Sequence, residues 1–154
     1  MRLAPTLLIV STLCVTVLAG CSSEPVVDQA AMDKWSTKQD AAARGDGVLG
    51  ALSAPISTRN PKPGVDKGIT ITFAKATDIE GFDFSCFGGG TMSGTLTTSA
   101  GSLGTTNTVE SLSCSKGAQP LHLSRAGRTG VDKVGFSAFD ASQDSAWQVI
   151  IRGN

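Results

Sequence analysis

The stretch Phe82-Asp83-Phe84-Ser85-Cys86-Phe87-Gly88-Gly89-Gly90 decides the fold class of this chain. Phe82, Phe84 and Cys86 alternate with Asp83 and Ser85, the period-two pattern of a strand with one buried and one wet face, and the glycines then turn the chain. The glycine run lacks the Lys-Ser/Thr of a phosphate loop and joins strand to strand, so no helix N-terminus would face an anion; it reads as a hairpin. The alternation recurs on both sides. Upstream, Ile69, Ile71 and Phe73 share a face against Thr70 and Thr72. Downstream follow Met92, Gly94 and Leu96, then Leu112 and Cys114 after a loop over 99–106, then Leu121 and Leu123, then Val134, Phe136 and Ala138. The last run is Trp147, Val149 and Ile151, with Gln148 and Arg152 facing water. Seven candidate strands over residues 65–154, with no helical pattern between them, predict an all-β fold, an antiparallel β-sandwich of immunoglobulin-like size. A small barrel is the alternative.

Composition agrees and narrows the function classes. The 154 residues hold 18 Gly and many Ser and Thr, which suit turns and pleated surfaces. Thirteen basic side chains balance thirteen acidic ones, which leaves no electrostatic footprint for nucleic acid. A charged fraction of 17% is too low for a solvated disordered chain. One His in the whole chain makes most catalytic constellations hard to assemble.

Ahead of the sandwich lie a leader and a tether. Arg2 is followed by the apolar run Leu7 to Leu18 and then by Ala19 and Gly20, the layout of a secretory signal. That run is shorter than the roughly 20 residues a membrane span requires. Leu18-Ala19-Gly20-Cys21 resembles the lipobox of bacterial lipoproteins. The resemblance implies that residues 1–20 are removed and that Cys21 carries lipid, which anchors the chain to the cell membrane on its extracytoplasmic face without a spanning helix. In a two-membrane host Ser22 would resemble the outer-membrane-directed type, and in a one-membrane host the same anchor would put the domain on the outer face of the plasma membrane. Residues 21–64 are expected to form the lipidated tether with one marginal helix: Asp28 caps it, Val27, Ala31 and Trp35 form a thin stripe, Asp40 pairs with Arg44, and Gly45 and Gly47 end it. Trp35 is expected to pack this helix on the body rather than anchor at a membrane interface. Arg44-Gly45-Asp46 matches an integrin-binding tripeptide, but the glycine is accounted for by the helix stop. Asn60-Pro61-Lys62-Pro63-Gly64 places the start of the body near residue 65.

Of four cysteines, the lipobox resemblance implies that Cys14 leaves with the leader and that Cys21 is taken by lipid. Cys86 and Cys114 then remain on core-facing registers in an oxidising compartment, which predicts a disulfide; two buried thiols, or a metal pair lacking further ligands, are the alternatives. Phe82 to Phe87 with its glycine turn, Ser111-Leu112-Ser113-Cys114 and Ala146-Trp147-Gln148-Val149-Ile150-Ile151 resemble small actinobacterial lipoproteins with a two-Cys β-sandwich and a Trp-bearing terminal strand. The resemblance spans about residues 80–154 and implies fold and location, not chemistry.

His122, between Leu121 and Leu123, points outward and has no nucleophile or acid spaced to partner it. Asp140, Ser142 and Asp144 match the opening of a calcium loop, but Ser145 stands where glycine is required and Ile151 where the bidentate Glu belongs, so the segment reads as a polar hairpin turn. Arg125, Arg128 and Lys133 read as a solvated loop. Trp147 reads first as a core position beside the disulfide, with binding as a sugar platform the alternative. No catalytic residue, metal or cofactor is implied. The leading expectation is a non-enzymatic cell-envelope lipoprotein displaying a structural or interaction module, with the membrane and an envelope protein or glycan as its partners. A domain that binds an envelope glycan or small solute is the second reading, and a hydrolase, which needs converging carboxylates or a His dyad, is the third.

Overall fold

The computed structural model describes residues 27–59 and 68–153; the leader, Cys14, Cys21 and the proline tract over 60–64 lie outside them. One helix, α1 (Gln29–Ala42), precedes the strands β1 (Val48–Ile56), β2 (Ile69–Thr77), β3 (Gly81–Cys86), β4 (Thr91–Ala100), β5 (Leu103–Ser113), β6 (Gln119–Leu121), β7 (Val131–Phe139) and β8 (Ser145–Arg152). They form two four-stranded antiparallel sheets in the orders β1-β8-β3-β6 and β2-β7-β4-β5. The fold is the expected β-sandwich.

The alternation of the quoted stretch is realised at its facing surfaces. Phe82, Phe84, Trp147, Val149 and Ile151 come from the first sheet and meet Met92, Leu96, Val134 and Phe136 from the second; all are at most 2% exposed. Phe136 joins the layers: its ring centroid lies 5.6 Å from that of Phe84 and 4.9 Å from that of Trp147. Its ring rests on Gly94, where a Cβ would occupy the space the ring fills.

Several boundaries differ from the sequence reading. The body begins before residue 65, because β1 from the expected tether pairs with β8 along its length. Gly50, Ala51, Ala54 and Pro55 dilute the alternation of β1 so far that only Leu52 and Ile56 are fully buried. Pro55 is tolerated there because β1 is an edge strand, where a missing donor costs no ladder bond on the open side. The expected loop over 99–106 is instead a hairpin. Gly101, at φ 60°, and Ser102 form a two-residue turn between β4 and β5, and the flanking Thr and Ser residues continue the ladder. Cys114 lies in a single 3-10 turn after β5, and Leu123 lies beyond β6. The hairpins expected at Gly88 to Gly90 and at 140–144 are arches between the sheets, because β3 and β8 lie in one sheet and β4 and β7 in the other. Glycines and polar residues permit either path; the choice of partner strand decides between them. The two arches interlock, with the Ser142 amide donating to the Thr91 carbonyl at 2.8 Å and the Thr91 amide to Ser142 Oγ at 2.9 Å.

Helix α1 begins as expected, with the Ala31 amide donating to the Asp28 carboxylate at 3.0 Å. Its half-buried face is not Val27, Ala31 and Trp35, since Ala31 is exposed; it is Met32, Trp35, Ser36, Gln39 and Ala43, at helical spacing. Met32 and Trp35 are the large side chains of the helix, so they set the docking face. Arg44 falls past the helix end, and the ion pair found among the described residues is Asp83–Arg152 rather than Asp40–Arg44. Trp35 meets Phe87 edge-on at 6.2 Å, as expected of a helix docked on the body. This docking covers the outer face of the first sheet. Ser85, Gln148 and Ile150 alternate with core residues and so point away from the core, yet they are only 6%, 2% and 5% exposed. Gln148, read from the sequence as facing water, is therefore buried: α1 packs against β8 on that side.

Candidate functional site

Cys86 and Cys114 are joined by a disulfide with their Cα atoms 4.7 Å apart. β3 and the turn after β5 bring the two together, so the bond ties the first sheet to the end of the second. Both residues are buried. Trp147 is directly opposite Cys86 in the β3–β8 register and is 2% exposed against Phe136. It is part of the packing around the staple, the core position favoured by the sequence reading, and offers no surface on which a sugar could stack. Cys21 lies outside the described residues.

The segment Asp140 to Asp144 is occupied with structure. Ser142 clamps the start of β4, and the Asp144 carboxylate accepts from the Thr58 amide at 2.9 Å. That amide, together with the hydroxyls of Ser57 and Thr58, holds the exposed Asp144 carboxyl below its usual range. Among the described residues no group of three or more His, Cys, Asp and Glu side chains is placed to hold a metal ion. Arg125, Arg128 and Lys133 do not act together. Arg125 is exposed in the loop, Arg128 Nη1 donates to the Glu80 carbonyl, and Lys133 is exposed opposite Thr72 and Ser99 on the outer face of the second sheet. Arg44, Gly45 and Asp46 are exposed in the turn after α1.

Two concavities stand out among the described residues. The first, about 230 Å³, sits beside the end of β3 and is lined by Glu80, Asp83, Pro120, Leu121, His122 and Arg128, among others. Leu121 and Phe82 form a buried apolar floor. On its rim Asp83 accepts from Arg152 Nε at 3.0 Å, a half-exposed pair whose charges largely cancel. His122 is exposed, and its carbonyl accepts from the Asn107 amide group at 2.7 Å. Arg128 Nε is buried without a partner. Here the sequence candidates His122 and Arg128 come together, and Glu80 and Asp83 join them. The sequence does not signal the grouping, because it depends on β6 pairing with β3, a strand far back in the chain with β4 and β5 between them. The second concavity, about 460 Å³, lies between the first turn of α1 and the β1–β8 end, with Val27, Met32, Pro55, Ile56 and Asp144 in its wall.

Comparison with known proteins finds no matching family model, no matching curated sequence and no matching solved structure. Among the described residues no helix is long and apolar enough to cross a membrane.

Proposed function

We propose that this chain is a non-enzymatic lipoprotein of the cell envelope, a disulfide-stapled β-sandwich moored by lipid on Cys21 and acting as a structural or interaction module outside the cytoplasm. The observation that carries the reading is the buried Cys86–Cys114 bond, since disulfides form and persist in oxidising compartments and are rare in reducing ones. It agrees with the lipobox resemblance of Leu18 to Cys21. Eight residues along the chain from Cys21 to Gln29, at about 3.5 Å per residue, would tie a lipid on Cys21 within roughly 28 Å of the start of α1. Two or more acyl chains would make that mooring stable. The test is metabolic labelling of intact cells with an alkyne fatty acid. Label is expected on the chain and absent from Cys21→Ala; undiminished label on that variant overturns the reading.

A second reading, binding of a small polar solute, draws on the first concavity, where an apolar floor carries the carboxylate of Glu80 and the guanidinium of Arg128 on one rim. It does not involve Trp147. Amide shifts confined to Gly81, Leu121 and Arg128 on titration with a dipeptide would favour it, and a spectrum unchanged at millimolar dipeptide would remove it.

A further inference from the structure

The four edges of the two sheets are not equally protected. β1 carries Pro55 and a register break between Val48 and Gly50. β6 is three residues long and contains Pro120. β2 loses its pairing between Thr72 and Thr77, with exposed Lys75 in the interruption. Breaks, prolines, lysines and short length are the devices that keep strand edges from joining other chains. β5 has none of them over Leu103-Gly104-Thr105-Thr106-Asn107-Thr108-Val109, which pairs with Gly94 to Ala100 of β4 without interruption and holds no proline and no charge.

The register shows which backbone groups this edge presents. In a two-residue hairpin the flanking pair, Ala100 and Leu103, is hydrogen-bonded, and bonded and non-bonded pairs then alternate. Leu103, Thr105, Asn107 and Val109 therefore bond to β4, while Gly104, Thr106 and Thr108 turn their N–H and C=O groups to the open side. Gly104, Thr106 and Thr108 are all exposed. Thr95 and Thr108 agree with this phase: their hydroxyls lie 3.1 Å apart, the close approach of a non-bonded pair.

We propose that β5 is an interface for a second copy of this chain, joined antiparallel about a two-fold axis through Thr106. This register is the one that pairs all three open residues, Thr106 with Thr106 and Gly104 with Thr108 in each direction. It also sets Leu103 opposite Val109 of the second copy. Leu103, at 76% exposure, is the large hydrophobic side chain left exposed among the described residues, and Val109 is half-buried. Glu110 falls opposite Ser102, so no like charges meet. The two second sheets become one eight-stranded sheet, and the contact is isologous and closed. A contact made by one strand edge is smaller than the ~1,200 Å² of a standard interface, so the dimer is weak in dilute solution and gains from confinement of both copies to one surface.

The test uses the full-length chain in intact bacteria. Opposed residues of a bonded pair have Cα atoms about 5.5 Å apart, within disulfide range. Under mild oxidation Thr106→Cys should therefore give a dimer on a non-reducing gel far faster than Thr72→Cys, also an exposed position, on the opposite edge of the same sheet. Thr106→Pro removes a donor from the open side and none from the β4 ladder. Leu103→Asp removes the apolar pair without touching the backbone. Both should abolish the dimer measured by light scattering of the purified chain, with the near-ultraviolet signal of the Trp147 core retained. Equal crosslinking at positions 72 and 106, a dimer that survives Leu103→Asp, or a chain monomeric at high micromolar concentration overturns the proposal. A Cys21→Ala version should still crosslink through Thr106→Cys, more slowly, which separates failure of the anchor from failure of the pairing.

Discussion

The two sheets share one core and treat their outer faces in opposite ways. In the first sheet β8 has six of its eight residues buried, because the core takes Trp147, Val149 and Ile151 and the docked helix takes Gln148 and Ile150. In the second sheet β2 has none of its nine residues buried, and the outer face is a bare array of Thr70, Thr72, Thr95, Thr97, Thr106 and Thr108. A strand covered on both sides can carry a near-continuous apolar run, whereas a strand with one wet side must alternate. The first sheet therefore owes part of its packing to an element outside the sandwich, and the second owes all of its packing to the shared core.

Substitutions can break this comparison, and the largest effect is expected where both sheets meet. Trp147→Ala removes the ring that Phe136 packs on and should cost about 4 kcal/mol, most of the stability of so small a domain. A chemical melt that moves by less than half that amount would place the core elsewhere. Next, Cys86→Ser opens a loop spanning a sequence separation of 28 and should cost about 3.5 kcal/mol in the chain-entropy model. Thermal unfolding with and without reductant reads this as a loss of roughly 10 to 20 °C, and coincident melts would show that the staple contributes nothing.

The next two substitutions test the helix-covered face alone. Trp35→Ala removes the contact with Phe87 and should cost about 1 kcal/mol, because the helix has no fully buried residue. Trypsin should then cut at Lys34 and Lys38 much faster while the sandwich melts nearly as before; unchanged cleavage would mean that Trp35 does not hold the helix. Gln148 Oε1 is buried without a partner, so Gln148→Met, which keeps the shape and discards the orphaned acceptor, should be neutral or stabilising by up to about 1 kcal/mol. A clear loss of stability would show that the helix-covered face needs that polar group. The smallest effect belongs to the bare face. Thr97→Ala should shift stability by less than about 0.5 kcal/mol, since its one side-chain partner is Thr106 at 3.5 Å on the same wet surface.

The difference between the sheets also explains which elements the sequence makes legible. Strands β2, β3, β4 and β7 are legible because apolar side chains at every second position turn toward the core while polar or small ones lie between them. β1 is not, because glycine, alanine and proline at Gly50, Ala51, Ala54 and Pro55 leave little contrast for a period to show. Thr105 and Thr106 read as loop residues because no apolar side chain alternates with them, yet they belong to the hairpin with β4, since β-branched side chains suit a pleated surface. The grouping of Glu80, Asp83, His122 and Arg128 around one concavity has no local signal, since it arises from the β3–β6 pairing and the turn before β7.

The sequence by itself determined the strand class and most of the residues that face the core, Cys86 among them, because side-chain direction in a strand follows from position alone. The tertiary structure decided the rest. Which glycine turns close hairpins and which carry the chain between sheets, that α1 covers Gln148 and Ile150, that Trp147 is sealed in the core and that the β5 edge stays open all depend on which strand pairs with which. Pairing is settled by contacts between segments far apart in the chain, and a period-two pattern is equally satisfied by any partner that presents an apolar face.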